Sequence, residues 1–334
     1  LDGVPNATFP HGRQTRKVKT GSGIEKVHQM FTRRALQFIA DAWKGAASGA
    51  STRSGRAALF LLSGTITLIS KRERYRDGSG KGAQSGTLYV PSLQVEKSPY
   101  DVLDRKRRSF VRLPLKTDGD HSVVTTGSNS DVRTIPDNSI DYIFTDPPFG
   151  ESLQYAELNF FHEAWLAVRS AIESDCVLNY VHKKELSFYQ SLMRKAFSEA
   201  FRVLKPGRWI TVEFSNTQAS VWNAIQVALQ EAGFVVANVS ALDKKQGSFN
   251  SVTTTTSVKQ DLVISAYKPN GGLEDRFIAT GGSEESVWDF VRTHLKCLPV
   301  VKAKRGELEF IAERDPRIIF DRMVAWFVRH NTPV

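Results

Sequence analysis

A short apolar strand that runs directly into an acid and two prolines constrains this chain more than any other feature. In "SIDYIFTDPPFGESLQYAELNFF" (139–161), Tyr142, Ile143 and Phe144 read as a buried strand, and Asp146-Pro147-Pro148-Phe149 follows at once. Proline fixes its own φ, donates no backbone hydrogen bond and keeps the residue before it out of the helical region. The chain therefore leaves the strand along a rigid path, with a carboxylate at the strand's end and an aromatic ring just beyond. In open α/β sheets, ligands bind at that end of a strand.

The surrounding pattern predicts strand and helix in alternation. Strands are expected at 123–126, 142–145, 209–214, 234–242 and 261–267, and helices at 157–171, 185–204 and 219–232. "LKPG" (204–207) and Gly233 mark helix ends. The segment joining the last two strands is rich in Thr and Ser and lacks helical periodicity, so those strands are expected to lie antiparallel. The fold class is α/β: a doubly wound, Rossmann-like sheet, mostly parallel, with a terminal antiparallel hairpin. Upstream the chain reads as mainly helical, over 24–44 (with Thr32 capping a second helix inside it), 57–76 and 99–111, plus one short strand at 88–90. Two more helices, 284–298 and 316–330, close the chain. The expected organisation is a basic helical region, 1–118; a catalytic region, 119–270; and a C-terminal helical segment, 271–334.

Charge separates the first region from the rest. The chain carries 45 Lys/Arg against 35 Asp/Glu, but residues 1–120 hold 22 and 10 of these. The basic excess lies entirely in that first third, in runs at 11–19, 71–76 and 105–112. Together they favour a surface that faces a polyanion. No apolar run is long enough to span a bilayer, so no membrane partner is expected. Cys176 and Cys297 are the two cysteines, too few and too far apart for a disulfide framework or a zinc cluster. No metal site is expected, and a cytoplasmic setting fits.

At Asp146-Pro147-Pro148-Phe149 the sequence resembles amino-group DNA methyltransferases, which methylate adenine N6 or cytosine N4 with S-adenosylmethionine. "IPDNSIDYIFTDPPFG" is similar to that family throughout, as are "EAFRVLKPGRWITVEF" (199–214), "VWNAIQVALQEAGFVVANVSALDK" and "VKQDLVISAYKP". With "YAELNFFHEAW" it looks most similar to large bacterial methylases of restriction or phage-defence type. The resemblance covers roughly residues 120–270. It implies Asp146, Pro147, Pro148 and Phe149 as the catalytic motif, and an adenine N6 target over cytosine N4. A nucleobase amine is a poor nucleophile because its lone pair is delocalised into the ring. An acceptor at the amine, from Asp146 and the Pro147 carbonyl, localises that pair toward the methyl donor. Phe149 is expected to stack on a base swung out of the duplex, with Gly150 and Tyr155 beside it in the base pocket. Glu157 and Asn159 are further pocket candidates.

Other assignments leave alternatives open. Ser128 and Asp131 are candidate cofactor contacts alongside Asp146, though a plain turn explains "TTGSNSD" (125–131) equally well. Ser215 and Asn216 either line the pocket or cap the next helix, the cap being favoured. His162 reads as a satisfied histidine rather than a base. Arg105, Lys106, Arg107 and Arg108, with Lys244 and Lys245, are the DNA-contact candidates. The family's glycine-rich turn after its first strand is not legible: "FLLSGTI" (60–66) lies inside a helical run and is rejected. An upstream segment or a partner chain carrying that turn is therefore expected. The competing functions are an RNA base methyltransferase and a non-catalytic nucleic-acid-binding subunit of the same fold.

Overall fold

The computed structural model describes residues 4–112, 122–216, 218–242, 261–269, 273, 276, 279, 283–298, 300–304, 307–309, 311 and 314–329. They form two compact units: residues 1–124 with 151–184, and residues 125–150 with 185–334.

The first unit is helical, with α1 (Arg13–Ser22), α2 (Arg33–Ser48), α3 (Arg53–Ile66), α4 (Pro99–Val111) and α5 (Tyr155–Leu166). A short hairpin, β1 (Tyr75–Arg76) and β2 (Ser79–Gly80), interrupts them. The Thr32 hydroxyl accepts from the Ala35 amide at 3.3 Å and starts α2, the cap expected from sequence. Ser98 caps α4 in the same way, with Pro99 at the first helical position. Val27, Met30, Phe31, Ile39, Trp43, Ile66, Phe161 and Trp165 fill one core. The helix expected over 57–76 stops at Ile66 and gives way to turns and the β1–β2 hairpin. Residues 88–90 form no strand; Leu88 is buried while Tyr89 points outward, and neither joins a ladder. "FLLSGTI" lies in α3, so its glycine serves a helix.

The second unit is a four-stranded sheet of order β3-β4-β6-β5: β3 (Ile140–Thr145), β4 (Leu204–Phe214), β5 (Val235–Leu242) and β6 (Asp261–Tyr267). β3 and β4 are parallel, while β6 runs antiparallel to both β4 and β5. Three strands thus point one way and β6 opposes them, which is the mostly parallel sheet with a terminal hairpin that the pattern predicts. Helices α6 (Leu186–Val203) and α7 (Ala219–Glu231) connect the parallel strands. Alternation along the strands assigns the two faces. Ile210, Val212 and Phe214 share one buried face of β4. Val235, Ala237 and Tyr267 turn to the other, against α8 (Glu284–Cys297) and α9 (Pro316–Arg329), through Phe290, Trp326 and Phe327. A small hairpin, β7 (Lys302–Lys304) and β8 (Glu307–Glu309), joins α8 to α9.

Three local expectations change in this unit. Lys205-Pro206-Gly207 belongs to β4, and it is accommodated by a bulge: pairing with β3 jumps from Ile140–Leu204 to Tyr142–Trp209, and Gly207 takes φ 75°. Residues 123–126 form no ladder among the described residues, and Val123 and Val124 are 87% and 97% exposed. The strand Tyr142–Thr145 is present but is an edge, not a buried strand. Among the described residues it pairs with β4 only, and Tyr142 and Phe144 are exposed.

Candidate active site

The motif leaves the carboxyl end of β3 in the second unit. Asp146 is exposed, Pro147 buried, Pro148 and Phe149 half-buried, and Gly150 buried with φ 72°. Gly150 suits that left-handed turn because it has no Cβ to clash. Two side chains that the sequence alone does not mark as motif supports hold the motif's backbone. The fully buried Tyr189, on α6, donates through its hydroxyl to the Pro148 carbonyl at 2.6 Å. Asn216 Nδ2, just past β4, donates to the Phe149 carbonyl at 2.8 Å, while its Oδ1 accepts from the Gln218 amide at 2.7 Å. Asn216 thus forms a turn into Gln218 rather than the expected cap, because the N-cap position of the next helix is Gln218 and carries no side-chain cap bond. The Phe149 ring meets Phe214 edge-on at 5.4 Å, and Phe214 meets Trp222 in the same way at 5.3 Å. A periodic buried tyrosine in α6 is the only sequence signal for Tyr189, and periodicity alone does not separate it from core.

The approach to β3 is fixed by the last turn of α6. Arg202 donates to the carbonyls of Val132 and Ile135 at 3.1 and 3.0 Å, and Glu199 accepts from the Val132 amide at 2.9 Å. Within this approach, the Ser128 hydroxyl pairs with that of Ser130 at 2.7 Å. The Asp131 carboxylate is held by both arms of Arg133, at 2.7 Å each, and that hydrogen-bonded guanidinium keeps its pKa below the usual carboxylate range.

The remaining candidates lie in the first unit or outside the described residues. Tyr155 opens α5 and is half-buried, as is Asn159 further along the same helix. Glu157 is spent structurally: its buried carboxylate accepts the amides of Arg13, Gln14 and Thr15 at 2.9, 2.6 and 3.1 Å, and Asn179 Nδ2 at 3.0 Å. A carboxylate at a helix N-terminus meets both the free amides and the helix dipole. His162 pairs through Nε2 with the Thr67 hydroxyl at 3.1 Å, and burial, then the Arg72 charge, lowers its pKa. It is a satisfied histidine, as expected. In α4, Asp104 pairs with Arg107 and Arg108 at 2.8 and 2.9 Å, whereas Arg105 and Lys106 have no ion pair among the described residues. Lys244 and Lys245 lie outside the described residues. Cys176 and Cys297 form no disulfide among the described residues. Among the described residues, no group of three or more metal-ligating side chains gathers, and no helix is long and apolar enough to cross a membrane.

For S-adenosylmethionine the described residues fit one side of a reaction only. They present Asp146 at a strand end, but among them no glycine-rich turn follows a strand where the cofactor's amino-acid end would need close backbone approach.

The DNA methylase family model for N6/N4 enzymes matches residues 140–302, just under half of the chain. Among solved structures, a candidate DNA modification methylase of Thermus thermophilus is 15% identical over 49% of this chain, with a TM-score of 0.29. This chain spans 61% of that protein's length. The same protein with S-adenosyl-L-methionine bound aligns at 16% identity, over 50% of this chain and 64% of that one, with a TM-score of 0.26. A Haloferax volcanii methyltransferase activator in complex with a candidate methyltransferase aligns at 15%, over 52% and 70%, with a TM-score of 0.27. Scores of this size add nothing to the sheet topology. No curated protein matches the chain. The family match over residues 140–302, with the strand order and the helices packed on the sheet, makes this region similar to amine-type (N6/N4) DNA methyltransferases.

Proposed function

We propose that this chain supplies the target-base side of a DNA methyltransferase that acts on an exocyclic base amine, adenine N6 in preference to cytosine N4. The reading rests on one observation above all. Asp146 is exposed at the end of β3, on a motif whose Pro148 and Phe149 carbonyls are tied down by Tyr189 and Asn216. The Asp146 carboxylate and the Pro147 carbonyl are the acceptors for hydrogen bonds from the two amine N–H groups, one of which loses its proton after the methyl group is transferred. A rigid acceptor pair orients the amine and stabilises the positive charge that grows on nitrogen. Phe149, braced by Phe214, offers its ring to the unstacked base. Gly150 gives the turn, and Tyr155 is proposed as a further base-pocket residue. S-adenosylmethionine, when bound, supplies a sulfonium methyl group. Asp146, with Ser128 and Asp131 as further candidates, is this chain's contribution to holding it.

The cofactor's glycine-rich turn is assigned to an upstream segment or partner chain. Among the described residues the outer edge of β3 pairs with no strand, and an unpaired strand edge accommodates a further strand. Arg105 to Arg108, with Lys244 and Lys245, are proposed DNA contacts, and a restriction or phage-defence role in the cytoplasm is proposed from the motifs. Asp146→Ala in the complete assembly should lower transfer from labelled S-adenosylmethionine at least about a hundredfold while leaving DNA binding intact. Activity within a few-fold of wild type would remove Asp146 from the mechanism. RNA as the better substrate than duplex DNA would replace this reading with the RNA one.

A further inference from the structure

We propose that a cleft in the first unit, between α1 and residues 84–90, binds a single nucleotide through its base and its phosphate. The inference rests on the nucleic-acid part of the function above. The cleft encloses about 350 Å³, within the usual range for small-molecule sites. Gln14, Lys17 and Val18 recur at helical spacing and make one wall. Gln84 and Tyr89 stand on the other.

Both walls are fixed. α1 is anchored on the Glu157 carboxylate through three successive amides. The opposite segment is pinned by Leu88, 1% exposed, and by Gly86, whose φ is 68° and where a Cβ would come within 2.7 Å of Leu153. A ligand here meets a prepared surface, with little ordering cost.

The chemistry of the walls matches a nucleotide. The Tyr89 ring is 50% exposed, held outward by its buried neighbour, and offers a stacking face. The side-chain amides of Gln14 and Gln84 carry both donors and acceptors, as a base edge requires. Among the described residues, Lys17 has no ion pair and the Gln14 side chain no hydrogen bond.

A second observation points to the phosphate. Arg72 is 8% exposed and has no carboxylate partner among the described residues. Its Nη2 donates at 2.6 Å to the carbonyl of Thr87, which lines the cleft, and its guanidinium lies 5.3 Å from the Phe161 ring centre. Burial lowers its pKa to about 10. A buried cation without a counter-charge is costly, and a phosphate in the cleft beside Thr87, which Arg72 contacts, would supply one.

Photo-crosslinking of the full chain to a short single-stranded oligonucleotide containing 5-iododeoxyuridine tests the site. We expect an adduct on Tyr89 and roughly tenfold weaker binding by Tyr89→Ala and by Lys17→Glu, both surface changes whose melting should match wild type. Competition by deoxyadenosine monophosphate is expected, because one nucleotide fills the cleft. Adducts only elsewhere, with both variants binding at wild-type strength, would overturn the cleft and leave the DNA reading standing. Because the readout is binding, failure of methyl transfer would not mimic that result.

Discussion

At the scale of single residues, the motif is held by its neighbours more than by itself. Phe149 is half-buried and perpendicular to the Phe214 ring, so it is braced by packing while part of it stays accessible for the proposed stacking. Phe149→Ala should weaken transfer by about 1–3 kcal/mol, and Phe149→Trp by much less. A fluorescent base analogue at the target position would report whether flipping follows the same order. Equal behaviour of the two variants would make Phe149 a core residue only. His294 makes a different prediction. It is fully buried, its Nδ1 pairs with the Tyr267 hydroxyl at 2.9 Å, and burial together with Arg322 and Arg314 lowers its pKa to about 4. An unfolded histidine titrates near 6.5. The unfolded state therefore binds the proton first, so stability is full above about pH 6.5 and falls as pH drops toward 4. Between pH 7 and 5 this one group should cost about 2 kcal/mol. Chemical denaturation of wild type and His294→Gln at both pH values checks it, with the variant expected to lose that part of the pH dependence.

At the scale of elements, α4 matches its expected bounds, yet its four basic residues are not equivalent. Asp104 lies three and four residues before Arg107 and Arg108 and neutralises that side of the helix. Arg105 and Lys106, with no ion pair among the described residues, are the proposed phosphate contacts. Replacing those two with Gln should flatten the slope of log affinity against log salt by about 0.9 for each phosphate no longer neutralised. The same change at Arg107 and Arg108 should alter it less. An unchanged slope in the first variant would mean that α4 does not face DNA. Capping and periodicity made α2 and α4 readable, because both signals are local. The strands expected at 88–90 and 123–126 failed for the complementary reason: β-propensity needs a partner strand, and none is supplied there among the described residues.

At the scale of the whole molecule, the described sheet starts at β3, whose outer edge is open and whose exposed face carries Tyr142 and Phe144. A doubly wound sheet binds its ligand across adjacent strand ends, and among the described residues no strand lies beyond β3. The chain by itself should bind S-adenosylmethionine weakly or not at all. Titration calorimetry on this chain, then with the segment or partner that carries a glycine-rich turn, would test this. Micromolar affinity of the chain alone would show that a cofactor loop lies within it.

The sequence by itself determined the alternation of strand and helix, the motif and most helix boundaries, because proline, glycine, caps and periodicity act within a few residues. It also placed Asp146 at a strand end, since Asp-Pro-Pro cannot continue a ladder. Only the tertiary structure decided what surrounds that acid. Tyr189 and Asn216 lie 41 and 67 residues from the carbonyls they hold, and no local pattern encodes such a pairing. It likewise decided that Glu157 anchors α1 and that β3 is an edge. Burial of a charge and exposure of a strand depend on which distant elements arrive beside them, and that is settled by packing.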